Sequence, residues 1–322
     1  MTFAKQIVMA MLYLMLLAVA IPEHAIGNVS NTNTFAWSET SGWLNFAPTG
    51  GGIAVYDDHL EGYVWGENIG WISMGSHTGG GILSYVNTNS SNWGVNRSGT
   101  MLSGFAWSET SGWINFKPTA SGSGVTLDPA TGIMDGWAWG ENIGWIHIRN
   151  NAVGYAVLVS LPIISDLSGD TLSYRIGSAT KVIDQGTAAS VTNTGVSNFA
   201  TGKLTVTFTG GATTADQLGI LTSGSISVSL GSVYYDTGSG IVSIGTISNG
   251  ANGNPLEVTF TINATPPRVS ALLNNITYSN ASLANVAQRT VSITVSNGVG
   301  GTSAPITATI NLTRPGFHQL WG

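Results

Sequence analysis

The residues best suited to chemistry are four glutamates that recur at one place in a repeated motif. Each copy reads Trp, any residue, Glu, two residues, Gly and Trp, followed by an alternating apolar tail. General acid–base catalysis needs two carboxylates in different environments, which separate their pKa values. Four copies of one environment argue against such a pair, so we expect each Glu to accept hydrogen bonds from turn N–H groups or from a neighbouring indole. The copies hold Trp37, Glu39 and Trp43; Trp65, Glu67 and Trp71; Trp107, Glu109 and Trp113; and Trp139, Glu141 and Trp145.

The tryptophans of the motif have two interpretations. They could fill the core of a small domain, where each buried ring removes roughly 150–250 Å² from water. They could instead lie exposed as platforms on which the apolar faces of sugar rings stack. We expect core packing for the motif, because a small repeat domain has little else to bury. Trp93 and Trp137 lie outside the motif and are the candidates for exposed rings that bind carbohydrate.

The motif also predicts the elements that position these side chains. Alternation of Trp and aliphatic residues with small or polar residues is the period-two pattern of a half-buried strand. The tetrads Glu-Thr-Ser-Gly and Glu-Asn-Ile-Gly predict tight turns, in which Gly is free to adopt positive φ. An apolar run precedes each later copy, so we expect a unit of three strands, of which the first copy lacks the leading one.

Four hairpin units predict an antiparallel β domain over residues 28–150, closed as a barrel or packed as a sandwich. A propeller-like array and a short stack are the alternatives, although four units are few for a solenoid. The spacing of the tryptophans alternates along the chain, so copies one and three match best, as do copies two and four. The domain is therefore expected to be a duplicated pair.

The N-terminus predicts export. Residues 7–21 form an apolar run without charge that is too short to span a bilayer comfortably, and it ends in small residues. We interpret residues 1–27 as a signal peptide, with a retained N-terminal anchor as the alternative. The expected location is secreted, extracellular or at the cell surface, or else the periplasm, with no stable membrane span after cleavage.

Composition excludes several classes of function. The net charge of −6 comes without a basic cluster, so nothing could neutralise the phosphates of a nucleic acid. Cys is absent, which excludes disulfides and thiolate metal sites. The five His residues show no metal-ligand spacing, and no nucleophile turn, phosphate loop or dinucleotide fingerprint occurs. We therefore do not expect an enzyme.

A second domain is expected over residues 163–314, after a connecting strand or linker at 151–162 and before a tail at 315–322. Many strands separated by turn signals predict a β-sandwich. Thr265 as a cap and the two prolines after it predict one short helix. Strands are predicted at 171–176, 203–209, 225–230, 241–247, 256–262, 289–296 and 306–313.

Several stretches of the second domain carry a family resemblance, beginning with Ser-Asp-Leu-Ser-Gly-Asp-Thr-Leu-Ser-Tyr at 165–174. The others are at 182–186, 204–208, 218–220, 263–266, 276–278, 289–295 and 300–303. Together they resemble the cadherin-like tandem repeats of bacterial surface and adhesin proteins. The resemblance implies an Ig-like sandwich that acts as an extracellular spacer or adhesive module, often with calcium.

The implied calcium site depends on few carboxylates. Calcium takes six to eight oxygen ligands, several of them carboxylates. Asp166 and Asp170 are the best pair, and two Asp residues in a polar turn are the alternative interpretation. The segment 191–199 has Asn, Ser and Thr where the family pattern is expected to carry several Asp, which weakens any such site.

Three functions follow from the sequence. The leading hypothesis is a secreted or cell-surface structural or adhesion protein that acts as an extracellular interaction module. The second is a carbohydrate-binding protein that uses Trp platforms of the N-terminal domain. The third is a glycan hydrolase fragment, which would need a carboxylate pair in one cleft. The expected partners are other surface proteins or extracellular glycans, and unpaired strand edges would permit self-association.

Overall fold

The computed structural model describes residues 28–120, 124–193, 196–284 and 286–315. Among the described residues, strands make up 51% and helix 3%, which confirms the predicted all-β class with hairpin units and one short helix. The predicted signal peptide at 1–27 and residues 316–322 of the predicted tail lie outside the described residues. Within the described ranges, no helix is long and apolar enough to cross a membrane.

The described part of the Trp-repeat domain, predicted at residues 28–150, contains twelve strands, three for each copy of the motif. They are β1 (Val29–Ser38), β2 (Gly42–Asn45), β3 (Gly52–Val55), β4 (Leu60–Gly66), β5 (Gly70–Ser73), β6 (Val95–Ser98), β7 (Met101–Ser108), β8 (Gly112–Asn115), β9 (Gly124–Leu127), β10 (Ile133–Gly140), β11 (Gly144–His147) and β12 (Val157–Val159).

Eight of these strands close into an antiparallel barrel in the order β1-β2-β4-β5-β7-β8-β10-β11. Each copy of the motif contributes one hairpin, and β11 pairs with β1, where Trp37 lies opposite His147. The tight turn of each hairpin requires positive φ at its last residue, and Gly42 and Gly112 both adopt a φ of 75° there. The predicted barrel of hairpin units is therefore confirmed.

The remaining four strands each pair with the first strand of a hairpin. β3 pairs with β4, β6 with β7, β9 with β10, and β12 with β1. β12 is thus the leading strand that the first copy lacks in sequence, and Val159 lies opposite Val29. The range 151–162, predicted as a connecting strand or linker, therefore contributes a strand that ties the two ends of the repeat region together.

Aliphatic side chains and two phenylalanines fill the barrel. The interior of an eight-stranded barrel is just wide enough for side chains, and here a void of only about 10 Å³ remains. Side chains alternate across a strand, so the tryptophans that alternate with the interior residues along each strand point outward. The expectation that the motif tryptophans form the core is therefore wrong. The residues that surround the void are Leu44, Phe46, Val64, Ile72, Met74, Ile114, Phe116, Ala138, Ile146 and Ile148.

The described residues of the second domain form three sheets and one helix, α1 (Pro266–Leu273). Its strands are β13 (Ile163–Ser165), β14 (Thr171–Arg175), β15 (Lys181–Val182), β16 (Ser190–Thr192), β17 (Lys203–Gly210), β18 (Asp216–Ile220), β19 (Ile226–Ser229), β20 (Ser232–Asp236), β21 (Ile241–Asn249), β22 (Leu256–Phe260), β23 (Ile276–Asn280), β24 (Arg289–Val295) and β25 (Ile306–Thr313).

One large sheet of eight strands runs in the order β14-β25-β24-β17-β22-β21-β20-β19, with β14 parallel to β25. A sheet of β15, β23 and β18, a pair of β13 and β16, and α1 contribute to the same apolar core. All seven predicted strands are present, and the strands that the sequence missed have five residues or fewer.

The predicted helix is confirmed, and the valine and leucines on its apolar face are buried. Thr265 occupies the N-cap position, but its side chain makes no capping hydrogen bond.

A buried ion pair joins three strands of the second domain. Arg289 Nε lies 3.0 Å from both carboxylate oxygens of Asp216, and both side chains are fully buried. Asp216 also accepts hydrogen bonds from Tyr278, Asn280 and Thr213. Burial alone would raise the pKa of Asp216, but these hydrogen bonds outweigh it and hold the pKa below its ordinary value.

Candidate functional site

The outer face of the barrel carries four cross-strand pairs of tryptophans. In each hairpin the first Trp of the motif lies directly opposite the second, as Trp37 does to Trp43. The ring centroids of the four pairs lie 4.6–5.0 Å apart, and the rings meet at steep angles, a geometry that aromatic pairs prefer. Several rings stay well exposed, including Trp65 at 41% and Trp139 at 39%. The pairs are therefore open to ligands.

A third outward aromatic ring stands two residues before the first Trp of each motif. The four residues at this place are Phe35, Tyr63, Phe105 and Trp137. Trp137 therefore belongs to the repeat, although the sequence placed it outside the motif. Its ring stacks on His147, with centroids 3.8 Å apart and planes within 4°. Burial lowers the pKa of His147, while the charge of Asp135 opposes that shift.

The glutamates of the second and fourth copies lie against the turns of the first and third. Glu67 Oε2 accepts a hydrogen bond from the backbone N–H of Trp43 at 3.2 Å. The carboxylate of Glu141 occupies the corresponding place beside Gly112, where a Cβ atom would clash with it. Glu67 thus accepts a backbone N–H from the neighbouring hairpin, whereas the sequence predicted acceptance of turn N–H groups.

The four hairpin turns form a closed ring of contacts at one end of the barrel. Asn68 and Asn142 each donate a side-chain hydrogen bond of 3.2 Å to a serine carbonyl in the preceding turn. At the other two junctions the hydroxyls of Ser38 and Ser108 reach the carbonyls of Ile143 and Ile69 instead. The contacts alternate in type around the ring, as a duplicated pair requires.

A cleft of about 540 Å³ opens on the outer face between the first and second hairpins. Four aromatic rings form most of its wall, and an amide and a carboxylate supply the polar groups. We call this the first aromatic cleft. Its lining residues are Phe35, Trp43, Asn45, Trp65, Glu67 and Tyr155.

Strand register positions the side chains of the first aromatic cleft. Asn45 lies opposite Phe35 on one neighbouring strand and opposite Trp65 on the other. Trp43 packs edge to face against Phe35, with centroids 5.9 Å apart. Because these residues sit on strands of a closed barrel, pairing with neighbouring strands holds this part of the wall in place.

Tyr155 closes one side of the cleft from the loop between β11 and β12. Its ring meets Trp43 edge to face at 5.2 Å, and its hydroxyl lies 3.1 Å from His147 Nδ1. Burial raises the pKa of Tyr155, and a hydrogen bond with Asn150 partly offsets that effect. The hydroxyl is therefore protonated at neutral pH and available for hydrogen bonding.

No protein-family model, curated protein or solved structure matches this chain. The chemistry of the cleft must therefore be inferred from its own side chains. Aromatic walls with a few convergent polar groups are typical of sites for small organic ligands.

The structure brings neither predicted carbohydrate-binding residue into the first aromatic cleft. Trp137 is stacked on His147, and Trp93 packs edge to face against Trp113 at 5.2 Å, on the third hairpin. Sequence reasoning missed Phe35, Asn45 and Tyr155. Aligning the copies beyond the motif gives the first two, because an aromatic residue and a polar residue recur at their places.

The two predicted calcium ligands, Asp166 and Asp170, lie near a third carboxylate. Burial raises the pKa of Asp184, and the negative charges of Asp170 and Asp166 add to this effect. Asp170 already accepts a hydrogen bond from the backbone N–H of Gln185. Among the described residues, no three or more His, Asp or Glu side chains form a group that could hold a metal ion. Calcium binding stays a prediction from the family resemblance.

Proposed function

We propose that this chain is an extracellular carbohydrate-binding protein whose barrel holds neutral glycans in the first aromatic cleft. The observation that carries the proposal is the wall of that cleft, in which Trp43 and Trp65 remain 36% and 41% exposed although each is held by a neighbouring ring. Exposed tryptophans on a rigid scaffold form a preorganised platform, and preorganisation reduces the entropic cost of binding.

The polar groups of the cleft favour a sugar over a purely apolar ligand. Asn45 can donate and accept hydrogen bonds, and Glu67 accepts them. Sugar hydroxyls offer both kinds of partner, while the apolar faces of pyranose rings match aromatic faces. An acidic sugar would meet the charge of Glu67 and the net charge of −6, so neutral glycans fit best.

The same cleft supports binding rather than hydrolysis. Glycoside hydrolysis generally uses two carboxylates on either side of the scissile bond. Among the six residues that line the cleft, Glu67 is the single carboxylate, and it already accepts a backbone hydrogen bond. This supports a lectin-like role.

In this proposal the second domain is a spacer that holds the barrel away from the cell surface. Its resemblance to cadherin-like repeats supports a spacer or adhesive role, and the predicted signal peptide supports an extracellular location. The exposed large apolar side chains of its described residues are aliphatic rather than aromatic, which suits a spacer. Adhesion would then come from glycan binding by the barrel.

The test is a binding panel with the full chain. Hydroxyethyl cellulose, laminarin, galactomannan and xylan represent neutral glycans, and alginate and polygalacturonate represent acidic ones. We expect saturable binding, by isothermal titration calorimetry, to at least one neutral glycan and to neither acidic one. Trp65→Ala should weaken the binding, whereas Tyr63→Ala, which removes an outward ring that does not line the cleft, should not. Absence of binding to every glycan would refute the proposal.

A further inference from the structure

We propose that the barrel has a second glycan site between the third and fourth hairpins, which makes one chain bivalent. This inference rests on the proposed function, because the ligand class is that of the first aromatic cleft. We call the second site the second aromatic cleft. Its residues are Trp93, Phe105, Trp113, Asn115, Trp139 and Glu141.

The strand register of the second aromatic cleft repeats that of the first. Asn115 lies opposite Phe105 on one neighbouring strand and opposite Trp139 on the other, the arrangement that Asn45 has in the first cleft. The backbone N–H of Glu141 donates a hydrogen bond to the carbonyl of Trp113. In the first cleft the N–H of Glu67 donates to the carbonyl of Trp43 in the same way. The amide, the carboxylate and the platform ring are therefore placed alike.

The aromatic contacts also match in distance. Trp113 meets Phe105 with centroids 6.1 Å apart and an interplanar angle of 73°, where the first cleft has 5.9 Å and 74°. Trp113 meets Trp93 at 5.2 Å and 81°, where the contact of Trp43 with Tyr155 is 5.2 Å and 88°. Trp93 thus takes the place of Tyr155.

Chain connectivity explains that correspondence. Trp93 stands two residues before the leading strand β6, and Tyr155 stands two residues before the leading strand β12. Both therefore enter the outer face from the loop that feeds a leading strand. The main difference is chemical, since Trp93 offers a larger ring and Tyr155 offers a hydroxyl.

The other two junctions between hairpins lack this arrangement. Ser73 lies opposite Trp107 at one of them, and His147 lies opposite Trp37 at the other, so neither has the amide. Trp137 covers His147 by stacking on it. Two sites are therefore expected per chain, not four.

The two clefts are four strands apart in a ring of eight, so they face away from each other across the barrel. Two separated sites on one protein molecule can hold two glycan molecules at once, or two distant parts of the same glycan. Linked binding events raise the overall affinity for a polymer without any new contact. A bivalent barrel would cross-link polysaccharide.

The experiment is calorimetry of the full chain with cellohexaose, laminarihexaose and mannohexaose as probes. The hexasaccharide that binds should bind at two per chain. Trp65→Ala and Trp139→Ala should each reduce the number to one, with affinity at the altered cleft lower by at least about tenfold, and the double variant should bind none. Tyr63→Ala is the matched control and should keep two.

The outcomes separate the two claims. One site per chain that Trp65→Ala removes and Trp139→Ala leaves intact would overturn the second cleft while the first stands. No binding of any hexasaccharide would overturn both. Circular dichroism of each variant checks its fold. As a second readout, light scattering of a long neutral polysaccharide built from the same sugar as the hexasaccharide that binds should rise with the unaltered chain and with Tyr63→Ala, but not with either single-cleft variant.

Discussion

The two domains of this protein use aromatic residues in opposite ways. The barrel points its tryptophans outward and fills its interior mainly with aliphatic side chains. The second domain instead buries several of its aromatic rings, and Tyr174, Tyr278 and Phe199 are among its most completely buried side chains. Both domains are built from short, mostly antiparallel strands with polar turns, so strand content does not explain the difference.

The geometry of closure explains it. The interior of an eight-stranded barrel is just wide enough for side chains to fill it. Here aliphatic side chains and two phenylalanines leave a void of only about 10 Å³, so eight indoles would not fit inside as well. The second domain instead has open sheets and a helix around one apolar core, and Phe199, Tyr174 and Tyr278 lie in that core. A large aromatic surface left outside a closed barrel is then available for binding, whereas the same rings in a sandwich contribute only to stability.

The largest expected effect concerns a buried ring of the second domain. Phe199→Ala should lower the free energy of unfolding of that domain by about 3–5 kcal/mol, because Phe199 is fully buried and leaves a cavity. Urea unfolding followed by far-UV circular dichroism measures the change. Tryptophan emission, which reports the barrel, should keep its unfolding midpoint. A decrease of less than about 1 kcal/mol in the free energy of unfolding would show that the second domain does not depend on its buried aromatic rings, and the contrast with the barrel would fail.

The buried ion pair gives a somewhat smaller effect with a pH signature. Asp216→Asn should cost the second domain about 3 kcal/mol at neutral pH, because the buried Arg289 loses its counter-charge. The pKa of Asp216 is lower in the folded state than in the unfolded state, so its contribution is present above the unfolded pKa of about 3.9 and is lost as pH falls through the folded value.

Acid unfolding checks that sign. Stability of the unaltered second domain should fall as pH decreases below about 4, and Asp216→Asn should remove part of this dependence. An equally steep acid dependence in the variant would show that other carboxylates control it.

The outward rings of the barrel should contribute little to stability. Trp43→Ala should cost about 1 kcal/mol, the scale of a cross-strand aromatic pair, because the ring is 36% exposed and its loss opens no cavity. Thermal unfolding followed by the remaining tryptophans measures it. A cost comparable to that of Phe199→Ala would mean that the ring is part of a core.

The smallest effect is a titration of His147 on the outer face of the barrel. Burial lowers its pKa below the usual value of about 6.5, so it should gain its proton only below that pH. Protonation places a positive charge on the His147 ring, which stacks on Trp137, and should therefore change tryptophan emission. The transition should vanish in His147→Gln. Because Tyr155 contacts His147, glycan affinity of the first cleft should show the same pH dependence and that of the second cleft should not.

The sequence predicted the strands and hairpins of the barrel, but it did not predict which face of each strand points into the interior. The hairpins followed from period-two alternation and from turn glycines, and the duplicated pair followed from the alternating spacing of the tryptophans. The side of the sheet that becomes the interior could not be predicted, because Trp occupies one face and Ala, Leu, Ile and Phe occupy the other, and both faces are apolar. Closure of the barrel decides which of the two faces becomes the interior, and closure depends on all eight strands.

The cleft was beyond sequence reasoning for a related reason. Tyr155 reaches Trp43 only because β12 completes the first copy from the far end of the repeat region. A segment predicted as a connecting strand or linker thus supplies both a leading strand and a wall of the site. The polar residue Asn45 recurs as Asn115 but as Ser73 and His147 in the other copies, so it does not stand out as a motif.

The central claim is that the tryptophans of the barrel are open to solvent and become covered by a bound glycan. Acrylamide quenching of tryptophan emission tests it most directly. A Trp321→Phe background ensures that every emitting ring lies between residues 37 and 145. We predict efficient quenching of the free protein and clear protection by the hexasaccharide that binds. Blue-shifted emission that acrylamide barely quenches, unchanged by any sugar, would contradict the account and make the rings a core.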